Sequence, residues 1–351
     1  MKIIHAADLH LGSRLSSRFP PKLAQERREE VRRSLRRLVA YAVDNGVSAV
    51  LFSGDVFDSP SPPAKEAEFF CRTLESAPEV RFFLLLGNHD GGLSLPLPKN
   101  CTVFSPTWQS HDLGGVWISG IEITEGNAHR FYTEVPRVAG RHIVMLHGQV
   151  SSSAGVDRIV LKDLRGRGID YLALGHVHAH EMGAIDQKTK WAYSGCLSGR
   201  GFDETGEKGF VLLTVEDTVR AEFVPVSEHP IYEIEGDVSG VRDLYEAADR
   251  LRSLIPSPRA ICRFCLTGEV AKEVSLPEER IAEELSGDCA FASVKNRTRP
   301  ILPLEEYQKE LSLRGEFVRT VLAREDLDEE DRNAILLFGL RALEGGELLC
   351  D

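Results

Sequence analysis

Short apolar runs alternate with amphipathic stretches from Met1 to about Val226, and the two periodicities separate cleanly. Ile3 to Ala7 reads as a strand. Lys22 to Asn45 carries apolar residues at Leu23, Val31, Leu35, Leu38, Val39 and Ala42, a helical spacing that Gly46 stops. Val47 to Ser53 is the next strand, Ala64 to Ala77 a helix, and Val80 to Leu86 a buried strand. Strands then dominate, at Val116 to Ile121, His142 to Leu146, Tyr171 to Leu174, Trp191 to Tyr193 and Gly209 to Val215. A chain that is βαβα early and mostly β later predicts an α/β fold of stacked sheets with helices outside.

Pro225 and Pro230 bracket a change of character. Beyond them the pattern predicts a strand (Ile231 to Glu235), a helix (Val241 to Leu254), a strand (Arg259 to Gly268) and a helix (Glu278 to Leu285). Residues 1–226 therefore read as one domain and 227–300 as a small α/β domain. Residues 301–351 form a tail with two helical stretches, Glu305 to Ala323 and Glu329 to Leu343. Two such helices bury little by themselves, so the tail is expected to dock on the body or on a partner.

Five of the early strands end in residues able to hold a metal: Asp8-Leu9-His10, Gly54-Asp55-Val56-Phe57-Asp58, Gly87-Asn88-His89-Asp90, His147-Gly148 and Gly175-His176-Val177-His178. One such segment means little, because Asn, Gly and Asp are favoured turn residues and His and Asp follow strands in most α/β proteins. Five of them supply enough oxygen and imidazole for two divalent cations. Strand ends are also where open α/β sheets gather their ligands. The combination points to metal-assisted cleavage of a phosphate ester.

Composition narrows the partners. The net charge of −12 argues against a protein that coats nucleic acid non-specifically, but a nuclease is compatible with it, since bound cations offset acidic ligands. Seven cysteines, odd in number and widely spaced, suit a reducing compartment. Cys262 and Cys265, three apart on a strand, point to opposite faces and cannot share a zinc ion. The sequence opens directly into a strand, and no apolar run reaches membrane-spanning length, so a cytoplasmic location and no membrane contact are expected.

The five motifs together resemble those of the calcineurin-like metallophosphoesterases. Asp8-Leu9-His10-Leu11-Gly12, the Gly54 to Asp58 segment with Pro62-Pro63 after it, and Gly87 to Asp90 resemble most the nuclease subunits of bacterial SbcCD DNA repair exonucleases. The stretch from Gly199 to Gly209 is similar to the closing segment of that subfamily's catalytic domain. The resemblance covers residues 1–215. It implies a four-layer αββα sandwich, two divalent ions (manganese first, iron or zinc next), DNA as substrate, a coiled-coil ATPase partner bound through the tail, and a homodimer. Residue by residue, it implies that Asp55 bridges the ions. Asp8, His10 and His178 complete one shell, and Asn88, His147 and His176 the other. His89 faces the scissile phosphate as acid or transition-state donor, and Asp58 orients it. At the position of Asp58 the archaeal and eukaryotic repair nucleases carry a histidine, so this chain departs from them there.

Two other classes share these motifs: a phosphatase or cyclic-nucleotide phosphodiesterase acting on small esters, and a non-catalytic scaffold for an ATPase. Intact ligands and His89 weigh against the scaffold. Arg28, Arg32 and Arg36 form a stripe on the first helix that reads either as a phosphate-tracking surface or, with Glu26, Glu29 and Glu30 interleaved, as a solvated face.

Overall fold

The computed structural model describes residues 1–15 and 19–343, apart from the side chain of residue 330; residues 344–351 of the expected tail lie outside the described residues. Two six-stranded sheets dominate. The first runs Val219–Pro225, Gly209–Val215, Lys2–Ala6, Ala49–Ser53, Arg81–Leu85, Cys101–Val103. The second runs Glu181–Ala184, Lys190–Tyr193, Tyr171–Gly175, Arg141–His147, Val116–Gly120, Gln109–Asp112.

Successive side chains on a strand face opposite ways, and the central strands here are apolar at nearly every position because both faces are covered. Ala49, Leu51, Phe83 and Leu85 of the first sheet meet Ile143, Met145, Tyr171 and Ala173 of the second in one buried cluster. The alternate residues Val50, Phe52, Phe82 and Leu84 face away, onto Val31, Leu35, Leu38, Phe70 and Leu74 of helices Pro21–Asp44 and Ala64–Glu75. On the far side, Val144, Leu146, Leu172 and Leu174 pack under the single-turn 3₁₀ helices Phe131–Thr133 and Leu161–Leu164. The result is the expected sandwich of sheets with helical layers outside. The fourth layer is two short turns.

Lys2–Ala6, Ala49–Ser53 and Arg81–Leu85 are parallel neighbours, as are Arg141–His147 and Tyr171–Gly175. All five motifs therefore leave the carboxyl ends of parallel strands. This is what brings them to a common place.

The chain divides into two compact units: Met1–Ile234 with Ile255–Arg263 and Ser286–Ala292, and Glu235–Leu254 with Phe264–Leu285 and Ser293–Asp351. The second unit holds helices Leu244–Arg252 and Glu278–Leu285 and the tail helices Leu304–Lys309, Leu313–Leu322 and Glu329–Leu343. The stretch read as one helix from Glu305 is two. Glu310 is extended, and Ser312 restarts the helix by accepting a hydrogen bond from the Gly315 N–H. Val318, Val321, Leu336 and Leu340 form the tail's own small core.

The first helix's arginines are largely engaged within the protein. Arg32 pairs with Glu66 and Glu29, Arg28 bonds the Arg14 carbonyl, and the Arg36 guanidinium lies 4.9 Å from the Phe69 ring centre. Among the described residues, no helix is long and apolar enough to cross a membrane.

Candidate metal centre

Asp8, His10, Asp55 and His176 all have positive φ, at 55°, 46°, 53° and 105°. Only two other non-glycine residues among those described, Leu15 and Asp157, share that region. Such strain costs about 1–3 kcal/mol per residue and persists where surrounding structure enforces it, typically at functional sites. Here backbone bonds lock the turns together. Asp8 N–H donates to Gly54 O (3.0 Å), and His10 N–H to Asp55 O (3.0 Å). Asp90 ties in the third loop, its buried carboxylate accepting from Gly87, Val56 and Phe57 N–H at 2.7, 2.8 and 3.2 Å.

Two glycines are required by close approach. A β-carbon on Gly54 (φ 98°) would lie 2.0 Å from His147 Nδ1, and one on Gly87 would lie 2.2 Å from Asp55 Oδ1. Gly54 also needs its left-handed turn. Gly87 needs only the space.

The structure brings all nine sequence-predicted site residues together. On one side His10 Nε2 faces His178 Nε2 at 3.2 Å, with Asp8 in the same group. On the other, Asn88 Oδ1 lies 3.0 Å from His147 Nε2 and 3.2 Å from His176 Nδ1. Asp55 reaches both sides, its Oδ2 being 3.5 Å from His147 Nε2 and 3.8 Å from His10 Nε2. Asp8 accepts the His176 backbone N–H at 2.9 Å. His89 is the outlier: its side chain is 45% exposed, its N–H donates to Asp55 Oδ1 (2.9 Å), and its ring stands edge-on to His10 at 4.8 Å. Asp58, expected to orient His89, accepts instead from His10 Nδ1 at 3.0 Å and stays 3.9 Å from His89 Nδ1.

Whether these atoms suit a cation follows from where their protons must be. A carboxylate or carbonyl oxygen can only accept, so His10 donates from Nδ1 to Asp58 and His147 from Nδ1 to Ser53 O (2.9 Å), while His178 Nδ1 lies between Glu204 Oε1 (2.9 Å) and an Arg200 guanidinium N–H (Nη2, 3.0 Å). That leaves the His10 Nε2 lone pair aimed inward, 3.2 Å from His178 Nε2. His147 Nε2 faces acceptors only, Asn88 Oδ1 at 3.0 Å and Asp55 Oδ2 at 3.5 Å. Carboxylate, amide and imidazole acceptors converging in this way need an electrophile between them, and a pair of divalent cations fits that donor set.

The charges agree. Burial raises Asp8 to about 6 against the nearby His147 and His178. Burial pulls His10 down to about 4 although Asp58 opposes it. Burial acts to raise Asp55, but its hydrogen bond and charge interaction with His147, with His10 nearby, hold it well below the carboxylate range. Burial acts to lower His147, yet Asp55 and Asp8 carry it up to about 9. Without a cation, a proton holds that place.

A model of the calcineurin-like phosphoesterase family matches residues 1–180. The chain belongs to this family. The family uses a dinuclear metal site for phosphate-ester hydrolysis, and the converging acceptors are the candidates for it in this chain. Among curated relatives, the chain is 32% identical to the uncharacterized metallophosphoesterase YhaO of Bacillus subtilis, over 61% of this chain and 57% of that one. It is 28% identical to the DNA double-strand break repair protein Mre11 of Aeropyrum pernix, over 74% of this chain and 69% of that one. It is 23% identical to the SbcD component of the SbcCD nuclease of Escherichia coli, over 95% and 96%. The matched region is thus little more than half the length of the first.

Sequence reasoning gave no role to Arg200 or Glu204, which are buried against His178 and Asp58. Their signal was available: two charged residues in the glycine-rich stretch after Ser194-Gly195, outside any helix or strand. Of the histidines outside the five motifs, His5 bonds the Tyr171 hydroxyl and Leu174 O, and His180 bonds Tyr193 O.

Proposed function

We propose that the protein is a manganese-dependent DNA phosphodiesterase, acting as exonuclease or endonuclease in repair. One observation carries the reading: two sets of inward-facing acceptors share Asp55, beneath an exposed histidine. Asp8, His10 and His178 would hold one cation and Asn88, His147 and His176 the other, supplying Lewis acidity and an acidified water to the phosphodiester. The chain's own groups do the rest. Asp55 holds its carboxylate ionised between the two halves, and Asp58 fixes the His10 ring. His89, outside both proposed ligand sets, would give a proton to the leaving oxygen or donate a hydrogen bond to the transition state. DNA as substrate is supported by the relatives named for break repair and for the SbcCD nuclease. A labelled DNA duplex and a mononucleotide ester, each incubated with manganese, test this: DNA should be the better substrate, and efficient turnover of the ester with DNA untouched would favour the small-ester reading.

Because the His147 lone pair must be free for a cation, and its imidazolium persists to about pH 9, uptake near neutrality expels one proton. In the metal-free protein this raised pKa contributes stability that is full below the ordinary imidazole range and is lost as pH rises through about 9. Apparent manganese affinity should therefore rise about tenfold per pH unit between roughly pH 7 and 8. Calorimetry in buffers of different ionisation heat reads the released proton. A pH-independent affinity would contradict the assignment.

A coiled-coil ATPase partner and a homodimer belong to the same reading. The tail leaves Leu311, Leu313, Ile335 and Phe338 exposed, an apolar set suited to an amphipathic helix. Phe338→Asp should abolish capture of the ATPase in a pull-down; capture equal to wild type would remove the tail from the interface. Light scattering of the purified chain reads the dimer, and a monomer mass would dismiss it.

A further inference from the structure

We propose that Glu204 and Arg200 are positioning residues of the metal centre: Glu204 fixes His178 in the tautomer that binds a cation, and Arg200 couples Glu204 to Asp58, so that His10 and His178 are aimed as one pair. The inference rests on the metal-centre reading given above.

Both residues are almost fully buried, at 5% and 4% exposure. Arg200 bonds Glu204 through Nη2 (2.8 Å) and Nε (3.2 Å to Oε1), and its backbone N–H donates to Oε2 (2.7 Å). Glu204 Oε1 also lies 2.9 Å from His178 Nδ1, which stands 3.0 Å from Arg200 Nη2 as well, and Arg200 Nη1 reaches Asp58 Oδ1 at 3.6 Å. With the Nε2 lone pair kept for a cation, His178 carries its proton on Nδ1, and Glu204 is the acceptor of the two groups there. Asp58 in turn accepts from His10 Nδ1. The chain of contacts His10, Asp58, Arg200, Glu204, His178 closes behind two imidazoles whose Nε2 atoms meet at 3.2 Å. Each of these two histidines has a carboxylate behind it. The buried guanidinium lies between the two carboxylates and offsets their mutual repulsion.

A buried ion pair is weak evidence of stabilisation, because desolvation consumes much of its attraction. Orienting a ligand is a different use, since a carboxylate behind a metal-binding imidazole sets its tautomer and raises its basicity. The other half of the centre is built differently. His147 is oriented by the backbone carbonyl of Ser53. The two carboxylates of this ring of contacts stand behind His10 and His178, the histidines of one proposed shell.

The test titrates metal-stripped full-length Glu204→Gln with manganese, following free Mn²⁺ by electron paramagnetic resonance alongside the melting temperature of the metal-free form. One of the two ions should weaken by about 10–100-fold while the other binds as in wild type. If Glu204→Gln fails to fold, Arg200→Met/Glu204→Gln, which removes both charges together, gives the same reading. Two ions bound with wild-type affinity would overturn the inference, as would equal weakening of both with a lowered melting temperature. A wild-type chain that takes up no manganese would defeat the metal-centre reading itself, and the inference with it.

Discussion

Asp55→Asn should abolish manganese-dependent cleavage of DNA while leaving the circular dichroism spectrum that of the wild type. The Asp55 carboxylate stands within 4 Å of ring nitrogens on both sides of the centre, His147 (3.5 Å) and His10 (3.8 Å). Its hydrogen bond and charge interaction with His147 keep it ionised at any physiological pH despite burial. Asn preserves the volume and an oxygen for the His89 N–H, but it turns the other oxygen into a donor and removes the charge shared by two cations. Loss of a group standing behind a ligand typically costs 10–100-fold in metal affinity or activity, so loss of the shared ligand should cost more than about 100-fold in rate. The fold should survive, because the exchange costs only about 1.5–3 kcal/mol, the range for a hydrogen bond to a charged group. That difference shrinks in acid, since stability drawn from a depressed carboxylate pKa is lost as pH falls through it. Undiminished turnover in this variant would remove Asp55 from the site.

For His89→Ala the expectation separates binding from chemistry: manganese content stays as in wild type, and turnover falls by about 10²–10⁴-fold, the range for loss of a general acid. The ring is half exposed and Asp58 stands 3.9 Å away, so its removal opens no cavity and leaves no buried group unpaired. The backbone N–H that braces Asp55 remains. The metal-to-protein ratio of the dialysed variant, measured with its rate, decides the point. A fall in metal content would reassign His89 to the ligand shell, beside His10 and Asp58 with which it clusters.

What the pattern of residues reveals depends on burial. Strands Ala49–Ser53, Arg81–Leu85 and Tyr171–Gly175 stand out because both their faces are apolar. The four strands left unread in the two sheets, Cys101–Val103, Gln109–Asp112, Glu181–Ala184 and Val219–Pro225, are the four sheet edges. Edge strands pair on one side only and tolerate polar residues, so a segment such as Gln109-Ser-His-Asp112 carries no alternation to detect. The break at Glu310 escaped for another reason: Leu311 and Leu313 continue an apolar pattern, while the capping role of Ser312 is a local bond that hydrophobicity does not register.

The site divides in the same way. Inward-facing ligands belong to short motifs at strand ends, so their types and order expose them. Arg200 and Glu204 act through other side chains. Nothing in their spacing says that a loop folds back to place them against His178, and the partner of Asp58 could be told only from distance: 3.0 Å to His10 against 3.9 Å to His89.

Titration of metal-stripped protein with Mn²⁺, read by electron paramagnetic resonance, decides whether two cations share Asp55. Two ions per chain with an exchange-coupled spectrum are expected in the wild type, and no coupled spectrum in Asp55→Asn. A single bound ion in the wild type, or coupling that survives in the variant, would contradict the shared ligand.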